Sequence, residues 1–150
     1  MPISSTPSIT MGLPVPDGIY SIQLPHNEAC ITDCGQGGWL SLLEKGKRGD
    51  AHKIEVIYNI DKGAYSLRFE ESKKYLTFQG APSMDNKLFP SDKPRYFIIK
   101  PHEYEKDKFA IGVAEHKMFH IATAAEHIYP PVVAMNDMLQ KQAWHFVSVY

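Results

Sequence analysis

Cysteine is scarce in this sequence: only Cys30 and Cys34 occur in 150 residues. In an extended strand, residues four apart lie ~13 Å from each other, whereas a disulfide needs Cα atoms within ~7 Å. Two free thiols are expected, and with them a reducing compartment. Net charge is scarce too, since 16 Lys and Arg against 17 Asp and Glu leave a formal value of -1. No strong field then draws the chain to nucleic acid or to an anionic membrane, and neither is expected as a partner. Seven histidines would carry the charge upward in acid. No apolar run approaches the roughly 18 residues that read as a membrane helix. The opening "MPISSTPSITMGLPVPDG" has no basic n-region and no apolar stretch of about 7–15 residues. No signal peptide and a cytoplasmic location are therefore expected.

Catalytic patterns are missing as well. There is no "GxSxG" and no "HExxH". "HKMFH" (116–120) sets two histidines four apart, but in a strand-like run. That geometry separates them by ~13 Å, too far to share a metal. "CGQGGW" is rich in glycine but lacks the "GxGxxG" order, and it reads as a hairpin turn. "RGD" (48–50) reads as a solvated turn. No enzyme activity, metal or cofactor is expected.

The chain does hold a repeat. A length of 150 residues fits one domain, able to bury roughly 68–70% of its unfolded surface without a disulfide or metal. Prolines at 2, 7, 14 and 16 mark residues 1–16 as an extended arm. Strand-like runs then recur in sets of four. The first runs are 18–23, 63–69 and 107–113, anchored by Tyr20, Tyr65 and Phe109. The second are 29–33, 74–78 and 117–122, and the third 38–44, 86–91 and 130–136. The last are 52–58, 95–100 and 143–149. They alternate apolar and polar residues, are rich in Ile, Val, Tyr and Phe, and are parted by breakers such as "EKGKRGD" and "QGAPSMDN". "IATAAEHI" (121–128) is the best candidate for a helical turn. One four-strand unit cannot bury its own apolar face, but three can close around a shared core. The pattern predicts an all-β protein, a β-trefoil of twelve strands in repeats of about 17–60, 61–104 and 105–150.

A trefoil presents varied loops on a stiff barrel, which suits binding. Two uses compete. Ricin-type lectin trefoils carry "QxW" in their repeats. Here "QAW" (142–144) occurs once, with "AHK" (51–53) and "KPR" (93–95) taken as its counterparts, and Trp144 would serve equally well as a core plug. The other use is protease inhibition. A rigid loop loses little conformational entropy when it docks in a protease cleft. The loop "LPHNEA" (24–29) offers Pro25, which fixes one φ angle, and then polar His26, Asn27 and Glu28, although this is also ordinary hairpin composition.

From "DGIYSIQ" to "AWHFVSVY" the chain resembles the small intracellular β-trefoil protease inhibitors of mushrooms, which include the cysteine-protease-inhibiting mycocypins and the cospin-type inhibitors of serine proteases. That resemblance implies a monomeric, cytoplasmic inhibitor of trypsin-like serine proteases, with a defensive role. It also implies that Asn27 enters the specificity pocket, supported by Pro25, His26 and Glu28. Asparagine is too short for a direct ion pair with a carboxylate at the base of such a pocket, and would reach it through water. Asparaginyl endopeptidases and papain-like proteases are alternative targets. Asn59, Asn86 and Asn136, read as exposed, could carry asparaginyl-endopeptidase inhibition on another loop, and Lys47, Arg48, Lys62 and Lys93 are basic candidates if the trypsin loop is elsewhere, Arg48 being a poor one because flexible Gly49 follows it.

Overall fold

The computed structural model describes residues 12–149. Each of the twelve runs holds one strand. The first repeat gives β1 (Gly18–Gln23), β2 (Cys30–Thr32), β3 (Ser41–Leu43) and β4 (Lys53–Asn59). The second gives β5 (Ala64–Phe69), β6 (Tyr75–Thr77), β7 (Phe89–Ser91) and β8 (Phe97–Pro101). The third gives β9 (Phe109–Val113), β10 (His116–Thr123), β11 (Val133–Asn136) and β12 (His145–Ser148). In β4 the alternation is plain: Ile54 and Val56 are buried, while Lys53, Glu55 and Ile57 face outward.

The first and last strands of the repeats pair around a closed circuit, β1–β4–β5–β8–β9–β12–β1, every pair antiparallel. Closure leaves no free edge on this barrel. The middle strands form three hairpins, β2–β3, β6–β7 and β10–β11. These hairpins meet in a ring of backbone hydrogen bonds. Leu40 N–H donates to Leu88 O (2.9 Å), Leu88 N–H to Val133 O (3.0 Å), and Val133 N–H to Leu40 O (3.0 Å). All three side chains are fully buried in the common core.

Cross-strand register defines the threefold equivalences. Tyr20 lies opposite Ile54, Tyr65 opposite Phe97, and Phe109 opposite Trp144. Trp144 therefore corresponds to Ile54 and Phe97, and all three are wholly buried. The counterparts of "QAW" are "HKI" (52–54) and "RYF" (95–97), one and two residues beyond those aligned from sequence. The motif is a structural clip. Trp144 Nε1–H donates to Ile121 O (3.1 Å), and Gln142 Oε1 accepts from Thr123 N–H (3.1 Å). Arg95 does the same work in the second repeat, donating to Phe78 O and Gly80 O, each at 3.0 Å.

Two expectations need correction. Residues 121–128 make no helical turn. β10 runs on to Thr123, and Ala124 N–H continues the ladder to Val132 O (2.8 Å). Of the expected arm, residues 1–11 lie outside the described residues, and the part that follows is tied to the barrel. Val15 is buried, and Tyr65 Oη donates to its carbonyl (2.8 Å) and accepts from its N–H (3.3 Å). Cys30 and Cys34 are not disulfide-bonded.

Tyr65→Phe would leave both backbone groups of Val15 buried without that partner. A loss of about 1–3 kcal/mol is expected in urea unfolding, the cost of stranding a buried polar group. A second prediction concerns acid. Burial lowers the pKa of His52 and of His120, so both resist protonation in the fold more than in the unfolded chain. Unfolded imidazoles titrate near the ordinary value of ~6.5, so below it the unfolded chain takes up protons that the folded chain resists. The urea midpoint should therefore fall between about pH 7.5 and 5.5, and fall less in His120→Gln.

Candidate functional site

The loop between β1 and β2 is a tight turn. Pro25 sits where a fixed φ suits a turn, and Glu28 takes a left-handed φ of 60°. Leu24 N–H donates to Ala29 O (2.9 Å), and Glu28 N–H donates back to Leu24 O (3.1 Å). Asn27 Oδ1 accepts from Ala29 N–H (3.0 Å). His26, Asn27 and Glu28 are exposed and Pro25 is half-buried, so the four residues named from the sequence do share one surface. The loop is anchored at both ends, but its backbone is turned rather than extended, and the Asn27 amide is engaged with its own loop.

The other asparagines are half-buried rather than exposed. Asn59 Oδ1 accepts from Lys62 N–H (3.0 Å), and Asn136 Oδ1 accepts from Met138 N–H (2.7 Å), so each caps its own turn. Asn86 Nδ2–H donates to Gln79 O (3.0 Å) and Ala81 O (3.3 Å). Arg48 is exposed beside Gly49, whose φ is 62°. Lys62 Nζ lies 5.5 Å from the centre of the Tyr96 ring.

A further surface was not read from the sequence. Trp39 falls just ahead of β3, at the end of a glycine-rich loop in which Gly35, Gln36 and Gly37 all have left-handed φ. Those angles turn the chain so that the indole leaves the core and stands 51% exposed. It borders a cavity of about 480 Å³, shared with Gln79, Asp85, Asn86, Lys87 and Phe89 from the β6–β7 hairpin. Lys87 Nζ lies 5.0 Å from the Trp39 ring centre and pairs with Glu126 (2.7 Å) and Asp85 (3.5 Å). The hydrogen bond that Lys87 donates to Glu126, ahead of the nearby Asp85 charge, raises the pKa of Lys87, so it is a fixed cation over the indole. A half-exposed indole with an ammonium over one side, and a carboxylate and two amides nearby, can meet the apolar face of a ring and the hydroxyls at its edge.

His102, His116 and His120 engage backbone groups of Lys141, Tyr104, Glu105, Met118 and Met138. Among the described residues no three His, Cys, Asp or Glu side chains are grouped to hold a metal, and no helix is long and apolar enough to cross a membrane.

No family model and no curated protein matches the chain. Solved structures do. A ricin B-like lectin of Macrolepiota procera, solved in complex with lactose, is 17% identical with a TM-score of 0.78, over 89% of this chain and 98% of that one. The Rhizoctonia solani agglutinin is 16% identical, TM-score 0.73, over 89% of this chain and 96% of its own. ThreeFoil, a designed threefold-symmetric protein, is 14% identical, TM-score 0.73, over 89% of this chain and 100% of its own. At these identities the likeness is one of fold, and the chain has the β-trefoil fold that these proteins share.

Proposed function

We propose that this protein is a carbohydrate-binding β-trefoil whose sugar site is the Trp39 concavity. The observation that carries the proposal is the half-exposed indole beside Asp85, Asn86, Gln79 and Lys87. A concavity that combines an aromatic wall with a few convergent polar groups has the make-up of a small-ligand site. The lectins among the structural neighbours support the same function. Trp144 is not part of the site, because its indole is buried and clips Ile121. The protein acts as a cytoplasmic monomer without a cofactor. A single aromatic with a few polar groups gives weak monosaccharide binding, about millimolar or −4 kcal/mol. A glycan array followed by titration tests the proposal. At least one glycan class should bind, and Trp39→Ala should weaken it about tenfold or more, worth about 1.4 kcal/mol. No bound glycan, or binding that survives Trp39→Ala, overturns it.

A second reading rests on the loop 24–29. Its closure by three hydrogen bonds gives a rigid projection carrying His26, Asn27 and Glu28, the property an inhibitor of a trypsin-like protease needs. Asn27 would occupy the specificity pocket after its amide leaves Ala29, with Pro25 stiffening the approach. Trypsin activity on a chromogenic substrate should then fall stoichiometrically with added protein, and Asn27→Lys should bind at least as tightly. Full activity at a large molar excess, or indifference to both Asn27→Lys and Asn27→Trp, removes this reading and leaves asparaginyl and papain-like proteases to assay.

A further inference from the structure

The three junctions between repeats are equivalent, and one differs from the other two. At each junction a residue of the first strand of one repeat faces a residue of the last strand of another. Gln23 faces His145, Arg68 faces Glu55, and Gly112 faces Ile98. The first junction is filled by the buried Gln23, whose Oε1 engages Ser21 and Cys30. The second is covered by the Arg68–Glu55 ion pair, in which Arg68 Nη2 approaches Glu55 Oε1 to 2.6 Å and its guanidinium lies 5.8 Å from the Tyr75 ring centre. The third has only hydrogen at the corresponding position.

The strands around Gly112 widen that gap. Ala110, two residues before it, faces Lys100 and offers one methyl group. The β9–β10 register shifts between His116 and His120, a bulge that carries Lys117 to Phe119 past the normal pairing. The result is a cavity of about 560 Å³, within the range that holds small ligands. Ile98, Ala110, Gly112 and Phe119 make an apolar floor. Lys100, Lys117 and Lys141 stand at its rim, all exposed, against one lining carboxylate, Glu103. Of the salt bridges between described residues, none involves these three lysines. One wall is fixed by His102. Its Nδ1 accepts from the N–H groups of Tyr104 and Glu105, both at 3.1 Å. That assigns the proton to Nε2, which donates to Lys141 O at 2.8 Å and ties the loop after β8 to the segment before β12.

We propose that this third junction is a second binding site, independent of the Trp39 concavity, for a soluble single-chain amphipathic carboxylate. The apolar body replaces the side chain that Gly112 lacks, and the carboxylate meets the lysine rim. Exposed ion pairs are individually weak, so three lysines offset by one glutamate give roughly tenfold selectivity for an anion over a neutral analogue.

The test is calorimetric titration of the full chain with decanoate, decanol and decylammonium, each below its aggregation concentration. Decanoate should bind one-to-one, about tenfold tighter than decanol, with decylammonium weakest. The double substitution Lys100→Gln and Lys117→Gln should erase the preference for decanoate over decanol. Gly112→Gln, which installs the filler of the first junction, should abolish binding of both. A β-carbon on Gly112 would meet only Phe119 O at 3.6 Å and Ile98 O at 3.7 Å, ordinary contacts, so this variant keeps its fold, as its thermal melt will report. Decanol binding as tightly as decanoate, or decanoate binding unchanged in a folded Gly112→Gln, overturns the proposal. Neither result bears on glycan binding at Trp39, which is measured separately.

Discussion

Three backbone hydrogen bonds hold the three repeats to one another: Leu40 to Leu88, Leu88 to Val133, and Val133 back to Leu40. Each hairpin donates to one neighbour and accepts from the other, so the three are linked in a closed cycle. The ring lies where three fully buried aliphatic side chains meet, and a backbone group there would be costly to leave unpaired. It fixes the angle of each hairpin to the barrel, and so the relative placement of residues far apart in sequence. Trp39 and Lys87 immediately precede Leu40 and Leu88. The stacking of the lysine on the indole is a direct consequence of the ring.

Symmetry gives the scaffold, and departures from symmetry give it candidate sites. Ile54, Phe97 and Trp144 occupy one equivalent core position and differ only in how they fill it. Outside the core the repeats diverge more. Gln23, Arg68 and Gly112 share a position but leave, in turn, a buried polar network, an ion pair and a cavity. The loop 24–29, the Trp39 concavity and the Gly112 cavity are each present in one repeat or one junction. A rigid framework with local exceptions of this kind lets binding surfaces change at little cost to stability.

Much of the fold was legible in the sequence. Alternation marked the strands, and Tyr20, Tyr65 and Phe109 marked the repeat, because inward positions on a closed barrel must be apolar in every copy. The alignment of "QAW" slipped by one and two residues. Hydrophobic pattern defines which face a residue takes, whereas register is set by cross-strand pairing. The helical turn at 121–128 was misread because a short Ala-rich segment carries no length to separate helix from extended chain. The candidate sites were less legible. Loop 24–29 could be named from Pro25 and its polar neighbours, but not the turn that engages the Asn27 amide. Trp39 read as the start of an apolar run. Its exposure follows from left-handed angles at Gly35, Gln36 and Gly37, and its neighbours Asp85 and Lys87 come from a different repeat.

The chain has two tryptophans, one exposed and one buried, so its indole N–H resonances separate the two sides of the account. The most direct measurement is a nitrogen–proton correlation spectrum recorded with and without common mono- and disaccharides, lactose among them. A bound sugar should shift the Trp39 indole signal together with the side-chain amides of Gln79 and Asn86, and leave Trp144 in place. A sugar that binds while Trp39 stays unmoved, or no shift with any sugar, would contradict a sugar site at Trp39.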